Sequence, residues 1–303
     1  MNGKVLVLGA SGRFGRHAEQ AFKTAGWQVR CFDRGGDLVR AARGADVIVN
    51  GWNPPYARWQ AELPDQTEQI IAAAKQARAT VLAPANVYVY GPGSPRVLRE
   101  TTPHTATNPL ARARKAAEMA LRSSGVRVIL LRAGDFLDDR ASGNWFDRVM
   151  IKGLSRGRLT YPGPLDAAHA WAWLPDLARA AVQLAGMRRR LRPFEEVLFP
   201  GYTLTGKELA EEVSVALDRR IRAGRMSWLP LRAMAPVWPF ARHLVEMRYL
   251  WSMPHQLDAE RFNELLPGFR HTAPATALAS ALRVDIDPHK PVARQALALD
   301  QRA

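Results

Sequence analysis

The sequence contains very little cysteine and no long hydrophobic run. Cys31 is the only cysteine among 303 residues, so the chain is not a small disulfide-stabilised scaffold, and we expect Cys31 to be a small buried residue of a strand. Apolar runs such as residues 5–8 and 126–131 have the length of strands and fall far short of the roughly 20 residues that cross a bilayer. The first residues do not resemble a cleavable signal peptide either. These absences predict a cytoplasmic protein with a reduced thiol and no membrane span.

Motifs for metal binding and for serine hydrolysis are also missing. The seven histidines are scattered without the spacing of metal ligands, and no Cys/His cluster occurs. Ser11 lies inside a glycine-rich loop rather than in a nucleophile elbow. We therefore expect neither a metal site nor a hydrolase of that type.

Basic residues outnumber acidic ones by 43 to 28, which gives a net charge of +15. Such an excess is typical of proteins that bind nucleic acid or an anionic surface. The arginines are spread along the chain, however, and the dense run at residues 188–192 follows the apolar helical stretch 177–187, where the helix dipole favours cations. We interpret the run as a solvated helix end and expect a small-molecule partner rather than a specific nucleic acid.

An apolar strand, a glycine-rich turn and a helix open the chain. Residues 4–9 (KVLVLG) form a continuous apolar run, which is typical of a strand buried on both faces of a parallel sheet. Residues 11–25 carry apolar side chains at helical spacing and stop at Gly26, a residue that favours a helix C-terminus. Residues 27–32 predict a second strand, which ends at Asp33. This order is that of a dinucleotide-binding fold.

The glycines of the turn have the spacing of a phosphate-binding loop. Gly9 permits the tight turn, Gly12 lets a pyrophosphate approach the backbone, and Gly15 lets the helix pack closely on the sheet. Asp33 is placed to accept hydrogen bonds from the adenosine ribose. We therefore predict a nicotinamide dinucleotide cofactor. Its candidate binding residues are Gly9, Ser11, Gly12, Arg13, Phe14, Gly15, Asp33, Arg34 and Asn50.

The choice between NAD and NADP depends on three of these residues. The carboxylate of Asp33 repels a 2′-phosphate, which favours NAD, whereas Arg13 and Arg34 would bind such a phosphate and leave NADP open. Both arginines are equally compatible with surface positions.

Further elements complete the predicted sheet and place polar side chains at its carboxyl edge. The loop 50–56 (NGWNPPY) follows one strand, and Asn86, Tyr88 and Tyr90 would share one face of an extended segment after the next. The predicted elements are a short helix between residues 33 and 45, a strand over 45–50, a helix over 66–77, strands over 80–83 and 126–131, a helix over 174–186, a strand over 194–199 and a capping box at 205–208 that opens a helix to 218.

Six motifs occur in the order of a known superfamily. They are GASGRFG at 9–15, ADVIVN at 45–50, VYG at 89–91, ETTP at 100–103, RAGDF at 132–136 and FPGYTLTGKEL at 199–209. Up to about residue 285 the chain resembles an atypical extended short-chain dehydrogenase/reductase of the NAD-dependent epimerase/dehydratase group.

The resemblance implies an α/β fold with a Rossmann-type doubly wound parallel sheet and a smaller, mainly helical C-terminal substrate domain. The dinucleotide-binding domain is expected to comprise residues 1–152 plus about 166–200. The substrate domain is expected to comprise about 153–165 plus 201–285, and residues 286–303 are expected to form a C-terminal tail.

The chain departs from the family at the residues that typically catalyse. Family members use Ser or Thr at the end of this strand and a Tyr followed four residues later by Lys; here those positions fall on Asn86, Leu110 and Arg114. Asn108 and Pro109 predict a helix N-terminus that places Leu110 and Arg114 one turn apart on one face. A guanidinium holds ribose hydroxyls or an anion but does not exchange protons at neutral pH. The usual proton donor is therefore missing.

Other groups must supply the site if turnover survives. Tyr88 is the first candidate for proton transfer and Tyr56 the second, although each is also compatible with an aromatic wall. The candidate catalytic residues are Asn86, Tyr88 and Arg114. The resemblance adds Asp135 and Trp145 to Tyr56 as candidate substrate contacts.

The segment 227–253 is rich in Trp, Pro and Arg. It is compatible with a basic amphipathic segment on a membrane surface and with a two-part helical lid over the substrate pocket. Three prolines interrupt it and the family places its substrate domain here, so we favour the lid. Trp228, Trp238, Tyr249 and Trp251 would then line the pocket, and Arg232, Arg242 or Arg248 would bind an anion.

Two functions remain open at this stage. The first is an NAD(P)-dependent oxidoreductase or epimerase/dehydratase acting on a hydroxyl- or carbonyl-bearing small molecule such as a sugar nucleotide. The second is a catalytically silent NAD(P)-binding sensor or regulatory protein, which the missing Tyr and Lys favour. The sequence is compatible with a homodimer. Binding of nucleic acid or membrane through the net charge is the least favoured of the functions considered, because the basic residues form no evident stripe.

Overall fold

The computed structural model describes residues 3–283, so the expected tail at 286–303 lies outside the described residues. The strands of this part of the chain are β1 (Lys4–Leu8), β2 (Gln28–Phe32), β3 (Val47–Asn50), β4 (Thr80–Ala85), β5 (Val97–Leu98), β6 (Val128–Arg132), β7 (Asp135–Leu137), β8 (Arg158–Tyr161), β9 (His169–Trp173), β10 (Phe194–Leu198), β11 (Tyr202–Leu204), β12 (Arg222–Arg225) and β13 (Gln256–Leu257). Its helices are α1 (Arg13–Thr24), α2 (Leu38–Ala42), α3 (Trp59–Ala77), α4 (Pro109–Ser123), α5 (Trp145–Arg148), α6 (Leu174–Gly186), α7 (Gly206–Leu217), α8 (Leu229–Met234), α9 (Pro239–Glu246), α10 (Glu260–Leu265) and α11 (Pro274–Leu282).

Six parallel strands form the central sheet, in the order β10-β6-β4-β3-β1-β2. Apolar residues of β1, β3, β4 and β6 are buried on both faces, with α1 and α6 packed together on one side and α2, α3 and α4 on the other. The chain runs from β1 outward to β2 and then returns to the far side of β1 with β3. The crevice at the carboxyl ends of β1 and β3 is thus the switch point at which such sheets bind ligands. The predicted Rossmann-type fold is confirmed.

Most predicted elements are present. Helix α6 has the predicted bounds, and α7 opens with the predicted capping box between Thr205 and Glu208. Helix α4 starts at Pro109, where the side chain of Asn108 accepts a hydrogen bond from the Ala111 amide at 2.9 Å. Among residues 3–283 no helix has both the length and the hydrophobicity of a membrane span.

The expectation that Cys31 is buried is wrong. Cys31 lies on β2 and is exposed. Strand β2 is at the edge of the sheet, and three of its five residues, Gln28, Arg30 and Cys31, are exposed. Strand periodicity does not distinguish an edge from a central position, which is why the sequence misled us.

The expectation of an extended segment over residues 86–90 is also wrong. Residues 87–89 form a 3₁₀ turn, and the side chain of Asn86 accepts a hydrogen bond from the Tyr88 amide at 3.1 Å. An Asn side chain competes for backbone amides in this way and ends a strand. As a result Tyr88 reaches the cavity described below, whereas the ring of Tyr90 is fully buried beside His104.

Three smaller sheets accompany the central one in the described residues, and one of them is the parallel pair of β5 and β13. Strands β7, β9 and β11 form a three-stranded sheet, and β8 and β12 pair in parallel. Together with α7 and α11 they enclose a second apolar core. This part of the molecule thus contains small sheets as well as the expected helices, while the domain boundaries remain a prediction.

The buried histidine His255 makes the fold sensitive to acid. Its Nδ1 lies 2.8 Å from the carbonyl oxygen of Met253, and burial, reinforced by the nearby His169, lowers the pKa of His255 to about 3. In the unfolded chain a histidine titrates near about 6.5. Because the unfolded state then binds a proton that the folded state does not, stability is present above pH ~6.5 and is lost as the pH falls toward ~3.

We expect the free energy of unfolding to fall by about 1.4 kcal/mol per pH unit from this group between those limits. Urea unfolding at pH ~7.5 and ~5.5 of the wild type and of His255→Phe measures it: the variant should lose less stability on acidification. The control is His243→Asn on the outer helix α9, which should keep the wild-type dependence. An unchanged dependence in His255→Phe would contradict the assignment.

Candidate functional site

One cavity of about 1070 Å³ opens at the carboxyl edge of the central sheet. Its walls come from the loops after β1, β2, β3, β4 and β6, from residues 142–149 and from α9. Because these loops leave neighbouring parallel strands, residues distant in sequence meet here. The site residues predicted from the sequence that line it are Gly9, Ser11, Gly12, Arg13, Phe14, Asp33, Arg34, Asn50, Tyr56, Asn86, Tyr88, Arg114, Asp135 and Trp145.

Gly15, the remaining predicted residue, lies behind the loop. A Cβ atom on Gly15 would be 2.1 Å from the carbonyl oxygen of Gly9, so any side chain would push α1 away from the strand. Gly9 has a φ of +66°, which favours glycine. Its carbonyl oxygen accepts a hydrogen bond from the Gly12 amide at 2.8 Å. The loop is thus closed by backbone contacts that only glycine permits.

The N-terminus of α1 faces the cavity without a cap of its own. Its N-cap residue is Gly12, and its first turn has no acidic side chain. Asn108 and Thr205, in contrast, cap α4 and α7 with their side chains. The amide groups at the start of α1 and the positive end of its dipole therefore suit an external anion.

Three charged residues surround the outer end of this groove. Asp33 and Arg34 follow β2 and are exposed. Arg13 instead donates hydrogen bonds from Nε to the carbonyl oxygen of Ser142 and from Nη2 to that of Gly143, both at 2.8 Å. Arg13 therefore holds the 142–143 loop over the groove, a contact that the sequence did not predict.

Two tyrosines meet in the inner half of the cavity. The hydroxyl oxygens of Tyr56 and Tyr88 are 2.6 Å apart, and both rings pack on Trp59. Burial raises the pKa of Tyr56 above its usual value and that of Tyr88 well above it. Both phenols are consequently protonated at neutral pH, and the pair can donate a hydrogen bond to an oxygen placed beside it.

Arg114, on α4, lines the same cavity as this pair. Leu110, one turn earlier on α4, is buried in the core. The guanidinium carbon of Arg114 is 4.1 Å from the centre of the Trp59 ring, and Nη2 donates to Oδ1 of Asn53 at 2.5 Å. Its Nε has no protein partner, and burial lowers the pKa of Arg114 while leaving it cationic at neutral pH. A fixed positive charge therefore lies in the wall of the cavity.

Asp135 has a buried histidine behind it. Its Oδ2 is 2.8 Å from Nε2 of His169. The imidazole of His169 is stacked on Trp251, with ring centres 4.1 Å apart and planes within 6°. Trp145 packs edge-on to the same Trp251 ring. The histidine was missed because it lies 34 residues from its partner, in a strand whose pairing no local pattern reveals.

A buried ion-pair network fixes the position of Asn86. Arg132, fully buried at the end of β6, donates from Nη1 to the carbonyl oxygen of Asn86 at 2.5 Å. Its Nε binds Glu196 and its Nη2 binds Glu118, both at 2.7 Å. The carboxylates of Glu118 and Glu196 raise the pKa of Arg132 despite its burial. Arg132 and Glu196 stand in buried, mostly apolar strands, which is the signal in the sequence for such a buried network.

The lid is only partly as predicted. Phe240 and Leu244 of α9 line the cavity. The four aromatic residues expected to line the cavity do not line it. Trp251 is buried in the second core and Trp238 is exposed. Trp228 donates from Nε1 to the carbonyl oxygen of Pro162, and the hydroxyl of Tyr249 donates to the carbonyl oxygen of Tyr90. The predicted anion-binding arginines of this segment do not line the cavity either. The sequence correctly placed a two-part helical segment here, but its hydrophobic spacing did not show which side would face the cavity.

One cluster has the composition of a metal site. The ligand atoms of His17, Asp138 and Asp139 lie within 4.8 Å of one another. Arg16, however, is ion-paired with both carboxylates, and His17 is hydrogen-bonded to Asp138. The guanidinium of Arg16 thus binds both carboxylates and balances one of their two negative charges, and these ion pairs join α1 to the loop after β7.

The similarity of this chain to known proteins is found in its structure and not in its sequence. No protein-family model matches the sequence, and no curated protein is similar to it by sequence. The fold is similar to MoeE5 in complex with UDP-glucose and NAD, with a TM-score of 0.70 and 18% identity over 93% of this chain and 98% of that one. It is also similar to a nucleoside-diphosphate-sugar epimerase from Pseudomonas aeruginosa, with a TM-score of 0.68 and 19% identity over 93% and 97% of the two chains.

A third similar structure is a UDP-glucuronic acid 4-epimerase from Bacillus cereus in complex with UDP-glucuronic acid and NAD. Its TM-score is 0.70 and its identity 14%, over 92% of this chain and 98% of that one. The resemblance inferred from the motifs is thus confirmed at the level of the fold, which this chain shares along nearly its whole length with nucleotide-sugar epimerases.

The burial of the tyrosines can be tested by titration. The chain has six tyrosines, and burial raises the pKa of every one, to about 12 for Tyr90 and Tyr249. At pH ~10 about half of the phenols of an unfolded chain are ionised. We expect the folded protein to show little tyrosinate absorbance at that pH and the urea-unfolded protein to show about half of the maximum. Half-ionisation of the folded protein at pH ~10 would refute the burial of these hydroxyls.

Proposed function

We propose that this protein is an NAD-dependent oxidoreductase or epimerase/dehydratase that acts on a hydroxyl- or carbonyl-bearing small molecule, with sugar nucleotides as the substrate class. One observation carries the proposal: a single cavity joins the glycine loop and the uncapped start of α1 to the Tyr56–Tyr88 pair, Arg114 and Asp135. Similar folds in complex with NAD and UDP-sugars support the same choice of ligands.

The residues of the outer groove fit a dinucleotide. The amides at the start of α1 would bind the pyrophosphate, and Asp33 would accept hydrogen bonds from the adenosine ribose. Arg13 is bound to the 142–143 loop, so it is not directed at a 2′-phosphate. This arrangement and the carboxylate of Asp33 support NAD over NADP.

The residues of the inner cavity fit proton transfer at a substrate oxygen. A bound nicotinamide supplies the hydride acceptor or donor. Tyr88, hydrogen-bonded to Tyr56 and protonated at neutral pH like an ordinary phenol, donates its hydrogen bond or its proton to a carbonyl oxygen that is being reduced. Asp135, oriented by His169, accepts a hydrogen bond from a substrate hydroxyl. Arg114, which lines the cavity, supplies a fixed positive charge beside the nicotinamide ribose or a substrate anion.

The chemistry does not need the Tyr and Lys positions of the typical family. In this chain those positions hold a buried leucine and an arginine, and the tyrosine pair approaches the cavity from the loops after β3 and β4 instead. Trp145, Phe240 and Leu244 add an apolar wall that excludes water from the reacting groups.

An NAD-binding sensor without turnover is the second candidate. The observation that favours it is the buried Leu110 at the position of the family's catalytic tyrosine. The two candidates differ in turnover but not in cofactor binding, so the two experiments below separate them.

The first experiment tests cofactor binding. We expect Gly15→Ala to weaken NAD binding at least ~10-fold, because the added methyl group meets the Gly9 carbonyl and displaces the start of α1 from the phosphates. Calorimetric titration of the folded variant with NAD measures the change. Gly186→Ala is the matched control, since a Cβ there meets no atom within 4 Å, and it should bind NAD as the wild type does. Equal affinity in Gly15→Ala would rule out this cradle.

The second experiment tests catalysis. In assays of nicotinamide absorbance with sugar nucleotides, alcohols and aldehydes, we expect Tyr88→Phe to lower kcat by about 10²–10⁴-fold, with NAD affinity unchanged. Because the pKa of Tyr88 is raised, wild-type reduction should show no loss from tyrosine ionisation up to pH ~9. Tyr161→Phe, which removes a hydroxyl from the second core, is the control and should retain kcat. NAD binding without turnover of any substrate would favour the sensor, and full activity in Tyr88→Phe would exclude its role as proton donor.

A further inference from the structure

The connection between α8 and α9 exposes large apolar side chains. We call the segment 229–246, which comprises α8, α9 and the turn between them, the outer hairpin. Leu229 is 70% exposed, Met234 46%, Val237 76% and Trp238 44%. In the part of the chain that the structure describes, the other large apolar side chain with comparable exposure is Met119, at 68% on α4. Isolated apolar residues on a surface are ordinary, but a group of four in ten consecutive residues marks an interaction site.

Helix α8 buries none of its six residues, although it packs on α9. A helix of six residues is not stable alone in water, and most helical stability comes from burial of an apolar face. Trp238 contacts the ring of Phe240, but it and the three other large apolar side chains remain 44–76% exposed. The apolar surface of α8 and of the turn is therefore only partly covered by residues 3–283.

The exposed charges of the outer hairpin have one sign. Arg232 and Arg242 are exposed, whereas the acidic residue of the hairpin, Glu246, is half-buried and lies 3.3 Å from His243. A second copy of the chain would bring the same two exposed cations against these, which is unfavourable. A partner that complements these side chains has anionic groups at its surface and apolar groups beneath them.

We propose that the outer hairpin binds the surface of an anionic lipid bilayer. Leu229, Met234, Val237 and Trp238 enter the boundary between headgroups and acyl chains, where tryptophan is favoured. Arg232 and Arg242 bind the phosphate groups of the headgroups. The hairpin is too short to cross the membrane, so the association is peripheral and reversible.

The outer hairpin also forms part of the cavity wall. Phe240 and Leu244, on the same helix α9, line the cavity. The bilayer surface therefore lies next to one wall of the substrate site. Binding to vesicles does not depend on the proposed enzymatic function, so the two proposals fail independently.

Vesicle co-sedimentation of the full-length protein tests the proposal. The probes are vesicles of phosphatidylglycerol mixed with phosphatidylcholine and vesicles of phosphatidylcholine alone. We expect binding to the anionic vesicles at least ~10-fold tighter than to the neutral ones and a loss of binding at high salt. The double variant Leu229→Ser, Trp238→Ser should bind anionic vesicles at least ~10-fold more weakly.

The charge contribution has its own variant. Each arginine near an anionic surface contributes a factor of about five to binding, so Arg232→Gln with Arg242→Gln should weaken binding about 25-fold at low salt. Two controls match these changes. Met119→Ser removes the exposed apolar residue of α4, and Arg189→Gln with Arg190→Gln removes two cations of the densest basic run in the sequence. Both controls should bind vesicles as the wild type does.

Several outcomes would overturn the proposal. These are no binding to anionic vesicles, equal binding to neutral ones, unchanged binding in the hairpin variants, or an equal loss in the controls. Circular dichroism and NAD titration show whether each variant remains folded. Light scattering identifies the competing occupant: a dimer that dissociates in Leu229→Ser, Trp238→Ser without any vesicle binding would assign the hairpin to a second copy of the chain.

Discussion

The buried guanidinium of Arg132 is the contact on which the geometry of the inner site depends. It joins the end of β6 to Glu118 on α4, to Glu196 on β10 and to the backbone of Asn86 after β4. Loss of one partner from such a network costs about 3–5 kcal/mol, because it leaves an unpaired charge in the core. The network therefore sets where the loop carrying Tyr88 leaves the sheet and how close α4, which carries Arg114, approaches it.

The two halves of the cavity are built in different ways. The outer half consists of one loop and one helix, closed by backbone contacts between Gly9, Gly12 and Gly15. The inner half is assembled from side chains of separate loops, such as Tyr56 with Tyr88 and Asp135 with His169. The outer half can thus be retained while the side chains of the inner half change, because the contacts within the glycine loop are made by backbone atoms.

The excess of positive charge has a different meaning in different parts of the molecule. Some arginines are structural, such as Arg132 in the core and Arg16 beside Asp138, because a guanidinium satisfies several acceptors at once. Arg232 and Arg242, in contrast, are exposed on the outer hairpin, next to exposed apolar side chains. Net charge alone does not separate these roles, since it carries no information about position.

Local patterns were sufficient for the central sheet and the glycine loop. The apolar run of β1, the spacing of Gly9, Gly12 and Gly15, and the capping residues Asn108 and Thr205 act over a few residues, and each was read correctly from the chain. Contacts between distant residues were not accessible in this way. The exposure of Cys31 depends on which strand lies at the edge of the sheet. The turn after Asn86 depends on a side-chain hydrogen bond that competes with the strand. The partner of Asp135, 34 residues away, depends on the pairing of its strand with a distant one. Burial and pairing at long range are properties of the folded arrangement, because the same local sequence is compatible with several neighbours until the whole sheet is formed.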